Sequence, residues 1–222
     1  MNAQLPEPPT SPIFPTVIAA MQRERLMRYM PAAHRDENVA FRFYLWNCHL
    51  SQSFHHALHF AEIVTRNALA RALQRRCGVW RNDHIFRSVL GEEYTKELDR
   101  CIKQEFEQHR DDMTDNHIIS ALSFGFWNQI ATKRFERFLW ARGVSQVMPG
   151  AGPEVTRQDV HDLIESIRRW RNRIAHHRAI FDKGPMRKHQ DALLLISWAC
   201  ADTGHWVSSI SKVPAAIALR PK

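Results

Sequence analysis

The sequence predicts an all-α protein built from long antiparallel helices. Three observations carry this. Apolar residues recur at spacings of three and four through several long stretches, glycine is scarce at 8 of 222 residues, and most apolar runs lack the strict alternation of a half-buried strand. Hydrophobic residues make up 44% of the chain, which supports a sizeable core and argues against a disordered polypeptide.

Residues 1–15 contain Pro6, Pro8, Pro9, Pro12 and Pro15. Proline removes backbone donors and restricts the residue before it, so this stretch reads as an extended, flexible, Pro-rich arm. A short helix is expected from about Thr16 to Tyr29, ended by Pro31. Asp36 to Arg76 reads as one long helix. Val39, Phe43, Trp46, Leu50, Phe54, Leu58, Ile63, Leu69 and Leu73 follow the helical period with no proline or glycine between them, although so long a helix can kink. Gly78 is a plausible stop. Residues 78–91 suit a loop or short helices, and Glu92–Gln108 a polar amphipathic helix. One of Asp111, Asp112, Thr114 and Asp115 should cap the next helix. Helices are expected at 116–132 and 133–141, with a bend near Ser123–Phe124–Gly125. Gly143, Pro149, Gly150, Gly152 and Pro153 mark 142–155 as the clearest internal loop.

Thr156, with Asp159 three residues on, opens the strongest amphipathic helix, expected to run to about Phe181. After the Gly184–Pro185 turn a last helix covers about 186–209. The expected organisation is an arm at 1–15, one helical domain at 16–210 and an irregular tail at 211–222. One domain is preferred over a split at 142–155, because the C-terminal helices alone would make a poor core.

Composition bounds the function only loosely. The net charge of +8 favours polyanions, since phosphate neutralisation releases counterions, but it does not by itself select nucleic acid. Cys48, Cys77, Cys101 and Cys200 form no CxxC pair and read as reduced, partly buried thiols in helix-like segments. No stretch is apolar and long enough to span a bilayer, and no signal pattern opens the chain, so no membrane role and a cytoplasmic location are expected. There is no P-loop, dinucleotide glycine pattern or GxSxG elbow. His55, His56 and His59 cluster on the long helix, but they lack an HExxH pattern or an evident third ligand and are read as partly buried or surface histidines.

The helix opened by Thr156 carries the chemistry. Val160, Leu163, Ile164, Ile167, Trp170, Ile174 and Phe181 project as one apolar stripe. Arg171 projects to the same side, near Ile164 and Ile167, where an unpaired charge would be costly. A structural explanation is an ion pair with an acid on the long helix, such as Glu62. Asn172 and His176 share a neighbouring face, and His177 falls beside Trp170. Arg171 and His176 lie about 140° apart on an ideal helix, so they do not face each other. Glu62–Arg66 reads first as an intrahelical ion pair, and as a brace for the motif helix or an RNA contact second. Arg71, Arg75 and Arg76 read as a solvated basic face. The seven tryptophans, at 46, 80, 127, 140, 170, 198 and 206, read as core.

The ArgAsnArgIleAlaHisHisArgAlaIlePhe run at 171–181 resembles the Arg…His motif of HEPN domains, which commonly carries Asn, Asp or His directly after the arginine. Further blocks resemble the Abi-like (abortive-infection) family within that group. These are ArgLeuMetArgTyrMet at 25–30, TyrLeuTrpAsnCysHisLeuSer at 44–51, GluIleValThrArgAsnAla at 62–68 and LeuSerPheGlyPheTrpAsn at 122–128.

The resemblance implies a HEPN-like helical bundle that dimerises with motif helices facing each other. It implies a metal-independent endoribonuclease, a toxin or phage-defence effector, in which the RNA 2′-hydroxyl attacks and a 2′,3′-cyclic phosphate is left. Arg171 and His176 then map as catalytic, with His177 equally permitted by spacing and Asn172 in support. Histidine titrates near neutrality and can move the protons, and arginine holds phosphate oxygens as charge develops. Arg168, Arg169, Arg173 and Arg178 form the expected RNA-binding rim. The expected partners are RNA, a second copy in a homodimer whose site straddles the two-fold axis, and an antitoxin or other defence-system protein. No cofactor and no metal is expected. The alternative is a non-catalytic RNA-binding or partner-binding helical module.

Overall fold

A computed structural model describes residues 5–222, and the regular elements it describes are all helices, with no strand among the described residues. The first four residues of the expected arm lie outside that range. Residues 5–10 carry no regular structure. Leu5 nonetheless packs on the core, and Glu7 lies 3.7 Å from Arg42. The single helix expected at 16–29 is two, α1 (Phe14–Met21) and α2 (Glu24–Met27). Pro15 lies in the first turn of α1, where a missing N–H costs nothing, and Gln22 ends it at a φ of 65°.

The long helix expected at 36–76 is also two, α3 (Glu37–Ser53) and α4 (His55–Cys77). Asp36 caps α3 by accepting from the Val39 amide. The break at Phe54 needs no proline or glycine. Ser51 Oγ donates to the Asn47 carbonyl and Ser53 Oγ to the His49 carbonyl, each at 2.8 Å, and such back-bonding competes with the helical ladder and bends it. Phe54 points inward at the bend, edge-on to Trp170 and His189. Gly78 stops α4 at a φ of 64°.

Beyond it come α5 (His84–Leu90) and α6 (Glu92–His109), then α7 (Asp115–Ala121) and α8 (Phe124–Ile130). Thr114 supplies the expected cap of α7. The helix expected at 116–132 splits because Leu122 and Ser123 are extended and the Ser123 hydroxyl caps α8. The helix expected at 133–141 is a 3₁₀ turn followed by a short π-helical turn, Glu136–Trp140. The loop at 142–155 docks through Gly150, whose amide donates to the Trp198 carbonyl at 2.9 Å. A side chain at Gly150 would collide with the Ser197 carbonyl.

The strongest helix, α9 (Arg157–Ala175), starts at the Thr156–Asp159 capping box as expected. Val160, Ile164, Ile167 and Trp170 are buried, while Leu163 and Ile174 are partly so. It ends at Ala175, six residues before the expected end. The helix expected at 186–209 is α10 (Pro185–Ala199) and α11 (Ala201–Ile210), divided where Cys200 turns extended. The tail expected to be irregular folds back as α12 (Val213–Ala218), with Val213 and Ala216 buried and the Ala216 carbonyl accepting from Trp46 Nε1 at 2.7 Å.

The core is one large cluster, with α4 packed against α3, α7, α8, α9, α10 and α11; a small satellite of Ile18, Leu26 and Phe41 lies under α1. Five of the seven tryptophans are buried. Trp198 is partly covered, and Trp206 is 48% exposed, its ring edge-on to Phe60. The cysteines are unpaired, as expected, but Cys48 is exposed; Cys101 is buried, which pushes its thiol up to about 11.

Within this core His189 of α10 is 4% exposed, and Ser211 Oγ lies 2.7 Å from its Nε2. Burial lowers its pKa below the ordinary 6.5. Such a group binds fewer protons folded than unfolded, so its contribution is full above 6.5 and declines as the pH falls below that value. Urea midpoints measured from neutral to mildly acidic pH should fall more steeply for the wild type than for His189→Gln. Equal slopes would remove His189 as the cause.

Candidate functional site

The end of α9 is set by the backbone conformation of a histidine. The His177 amide donates to the Ile174 carbonyl and the Arg178 amide to the Arg173 carbonyl, and His177 has a φ of 52°. This is a Schellman termination with histidine at the left-handed position where glycine is usual. The left-handed conformation costs an L-residue roughly 1–2 kcal/mol, part of which glycine's extra chain entropy would return. His177→Gly should therefore raise unfolding stability by roughly 0.5–1 kcal/mol; a lower midpoint would mean that the imidazole makes contacts offsetting the strain.

The chain leaving α9 is tied down on three sides. Asn47 of α3 is buried, and its Oδ1 accepts from the Ile180 and Phe181 amides at 2.8 and 3.2 Å. Phe181 stacks on Tyr29 with ring centroids 5.1 Å apart. Arg28 pairs with Asp182. Phe181 thus leaves the helical stripe on which its spacing placed it and joins a cluster with Tyr29, Phe43 and Trp46.

Two grooves flank this end of α9. The first, about 500 Å³, holds Arg171 and His177 from the α9 side and His55, His59 and Glu62 from α4. Arg171 is half exposed rather than buried. Its Nε lies 3.5 Å from Glu62 Oε2, and its Nη1 donates to Asn172 Oδ1 at 3.3 Å. The acid proposed for it from sequence is therefore its partner, but at a groove mouth and not inside the core. Glu62 makes no ion pair with Arg66. Arg66 instead donates to the Ser120 carbonyl and hydroxyl, both at 3.3 Å, and desolvation lowers its pKa.

The second groove, about 760 Å³, contains His176 and Asn172 with Arg169, Arg173, Arg178, Lys183 and Lys188, balanced by Asp162 and Glu165. Arg171 and His176 consequently open onto different grooves, as the helical projection requires. His177, expected beside Trp170, is carried by the helix termination into the Arg171 groove.

The four rim arginines are not equivalent. Arg168 binds Glu165 through Nε and Nη2 at 2.7 and 2.9 Å, and Arg169 reaches the same carboxylate at 2.6 Å. The Arg168 hydrogen bond holds the Glu165 carboxyl below the usual carboxylate range. Arg173 donates to the Ala179 carbonyl at 2.7 Å and keeps its net charge. Arg178 has no ion pair among the described residues. Arg173 and Arg178 are thus the cations best able to meet a phosphate, since Lys183 lies 3.7 Å from the Asp182 carboxylate.

The comparisons with known proteins find no matching family model, curated protein or solved structure.

Sequence reading missed three contributors. Asn47 was legible as an amide on the inward face of α3 between Trp46 and Leu50. His55 and His59 stood out as a cluster, but nothing local placed them opposite Arg171. Among the described residues no group of three or more His, Cys, Asp or Glu side chains is arranged to hold a metal ion, and no helix is long and apolar enough to cross a membrane. The first groove can clamp a phosphate through Arg171 and move protons through imidazoles; the second can neutralise a run of phosphates.

Proposed function

We propose that the protein is a metal-independent endoribonuclease of the Abi-like HEPN type, acting as a growth-arresting toxin or phage-defence effector. The observation that carries this reading is the placement of Arg171 and His177 in one groove, with the guanidinium braced by Glu62 and Asn172. A braced arginine keeps its remaining N–H groups free for phosphate oxygens, and an imidazole beside it can take the 2′-hydroxyl proton. The basic second groove supports RNA as the polyanion.

Three of the sequence blocks behind the resemblance meet the 171–181 block in space, and the fourth touches α9 upstream of it. Tyr29 and Asn47 hold the exit of α9, Glu62 pairs with Arg171, and Asn128 Nδ2 donates to Glu165 Oε2 at 2.9 Å. Arg66, from the same block as Glu62, reaches α7. Such convergence is what a shared site would require.

Of the two motif histidines, His177 is the one that shares the Arg171 groove within one chain. His176 would reach that arginine only from a second copy, which is the role a homodimer would have. RNA incubated with the purified protein in excess EDTA should be cut to leave 2′,3′-cyclic phosphate ends. A fully active monomer at micromolar concentration would remove the dimer from the proposal. Tight RNA binding without cleavage at high protein concentration would instead favour a non-catalytic module that uses the second groove, in which case an antitoxin or other partner becomes the object to find.

A further inference from the structure

The Arg171 groove holds two histidines that the Arg…His motif does not include. His55, His59 and Glu62 stand at i, i+4 and i+7 on α4, a spacing that aligns side chains along one helical face. All three line the groove, and the last of them touches Arg171. The His55 and His59 rings are stacked, with centroids 5.8 Å apart and planes 21° apart. His59 also packs edge-on against Phe60, with centroids 5.6 Å apart. It stands one turn from the carboxylate that holds the guanidinium, while His55 stands one turn farther away. Both imidazoles are exposed to the groove, and Ser51 and Gln52 at the end of α3 add only neutral polar groups. The titratable and charged groups of the groove are thus His55, His59, His177, Glu62 and Arg171.

The geometry points to His59, on the α4 wall of the groove whose α9 side carries Arg171 and His177, as a second catalytic imidazole, with His55 as a positioning residue stacked on it. This rests on the endoribonuclease reading and adds a second proton carrier within one chain. Cleavage by 2′-hydroxyl attack moves two protons. The 2′-oxygen bonds to phosphorus as one neutral imidazole takes its proton, and the bond from phosphorus to the 5′-oxygen breaks as the other, protonated, imidazole gives that oxygen a proton. The products are a 2′,3′-cyclic phosphate and a 5′-hydroxyl, and no further reactant is consumed. Arg171 holds the non-bridging oxygens between the two imidazoles.

Full-length protein should give a bell-shaped dependence of kcat/KM on pH. His59→Gln should remove one limb of the bell and lower the rate on the order of 10²- to 10³-fold. His177→Asn should remove the other limb, and His84→Gln, on α5 away from the groove, should keep both. A non-cleavable 2′-deoxy dinucleotide should shift the imidazole proton signals of His59 and His177 together in the wild type. If Arg171→Ala is inactive while His59→Gln retains both limbs at near wild-type rate, His59 is overturned and the endoribonuclease reading stands. If the wild type does not cut RNA, or Arg171→Ala cuts it normally, that reading fails and this inference with it. Absence of any shift at His59 on saturation with the dinucleotide overturns its placement independently of activity.

Discussion

Arg171→Ala is expected to lower RNA cleavage on the order of 10²- to 10³-fold while leaving the fold intact. The two halves of this expectation have separate physical origins. Arg171 is half exposed, and its contact with Glu62 spans 3.5 Å at the mouth of a groove. Exposed ion pairs contribute about 0–1 kcal/mol, so the unfolding midpoint should barely move. The expected catalytic loss follows from the proposed reaction, in which the negative charge on the phosphate would spread over its non-bridging oxygens as the 2′-oxygen attacks. A guanidinium already fixed by Glu62 and Asn172 meets that charge without reorganising. Arg171→Lys keeps the charge but loses the planar fork, so it should recover only part of the rate. Glu62→Gln keeps every donor and releases the brace, and should reduce the rate less than Arg171→Ala. Melting curves beside single-turnover cleavage check both halves. An Arg171→Ala protein that is folded and cuts RNA normally would move the search for a site away from this groove.

The placement of Arg171 also shows where sequence reading ended. The stripe on α9 was legible because Val160, Ile164, Ile167 and Trp170 recur at helical spacing and are buried. The same projection put Arg171 among them. It is outside because α9 runs past the core: Ile174 is only partly covered and Ala175 is exposed. The position that faces inward at Ile164 and Ile167 therefore faces a groove one turn later. The end of α9 was illegible for a different reason. Phe181 follows Ile174 by seven residues, in step with a continuing helix, and no glycine or proline intervenes. Histidine in a left-handed conformation carries no sequence signal of its own. The break at Phe54 was similarly hidden, since serine hydroxyls bend a helix only when they bond back to its carbonyls. The choice of Glu62 between Arg66 and Arg171 was tertiary: Ser120 on α7 takes the Arg66 guanidinium and leaves Glu62 to α9. The all-helical class, the Thr156 capping box and the 142–155 loop were readable because local chemistry sets each of them.

Asn47→Ala should be among the most destabilising single changes outside the apolar core, although Asn47 touches neither groove. Its Oδ1 accepts two amide protons, from Ile180 and Phe181, in a setting where water does not replace it. Truncation leaves both amides without their acceptor, at about 1–3 kcal/mol for each buried unsatisfied group. A total of about 2–4 kcal/mol is expected, a large share of the 5–15 kcal/mol that is ordinary for a folded domain. The loss should be local before it is global. The segment at 178–182 is held by these two hydrogen bonds, by Phe181 on Tyr29 and by Asp182 on Arg28. Removing the first of these lets the segment lift while α9 persists, so exchange of the Ile180 and Phe181 amides should accelerate more than exchange within Val160–Trp170. Because that segment anchors the termination that points His177 into the Arg171 groove, cleavage should fall even at temperatures where the variant is fully folded. Asn47→Asp retains an acceptor for both amides but buries a charge, and should fall between the wild type and Asn47→Ala in its urea midpoint. A variant with an unchanged midpoint and protected Ile180 and Phe181 amides would show that the exit of α9 is held by Phe181 and Asp182 alone, and the termination at His177 would then owe nothing to α3.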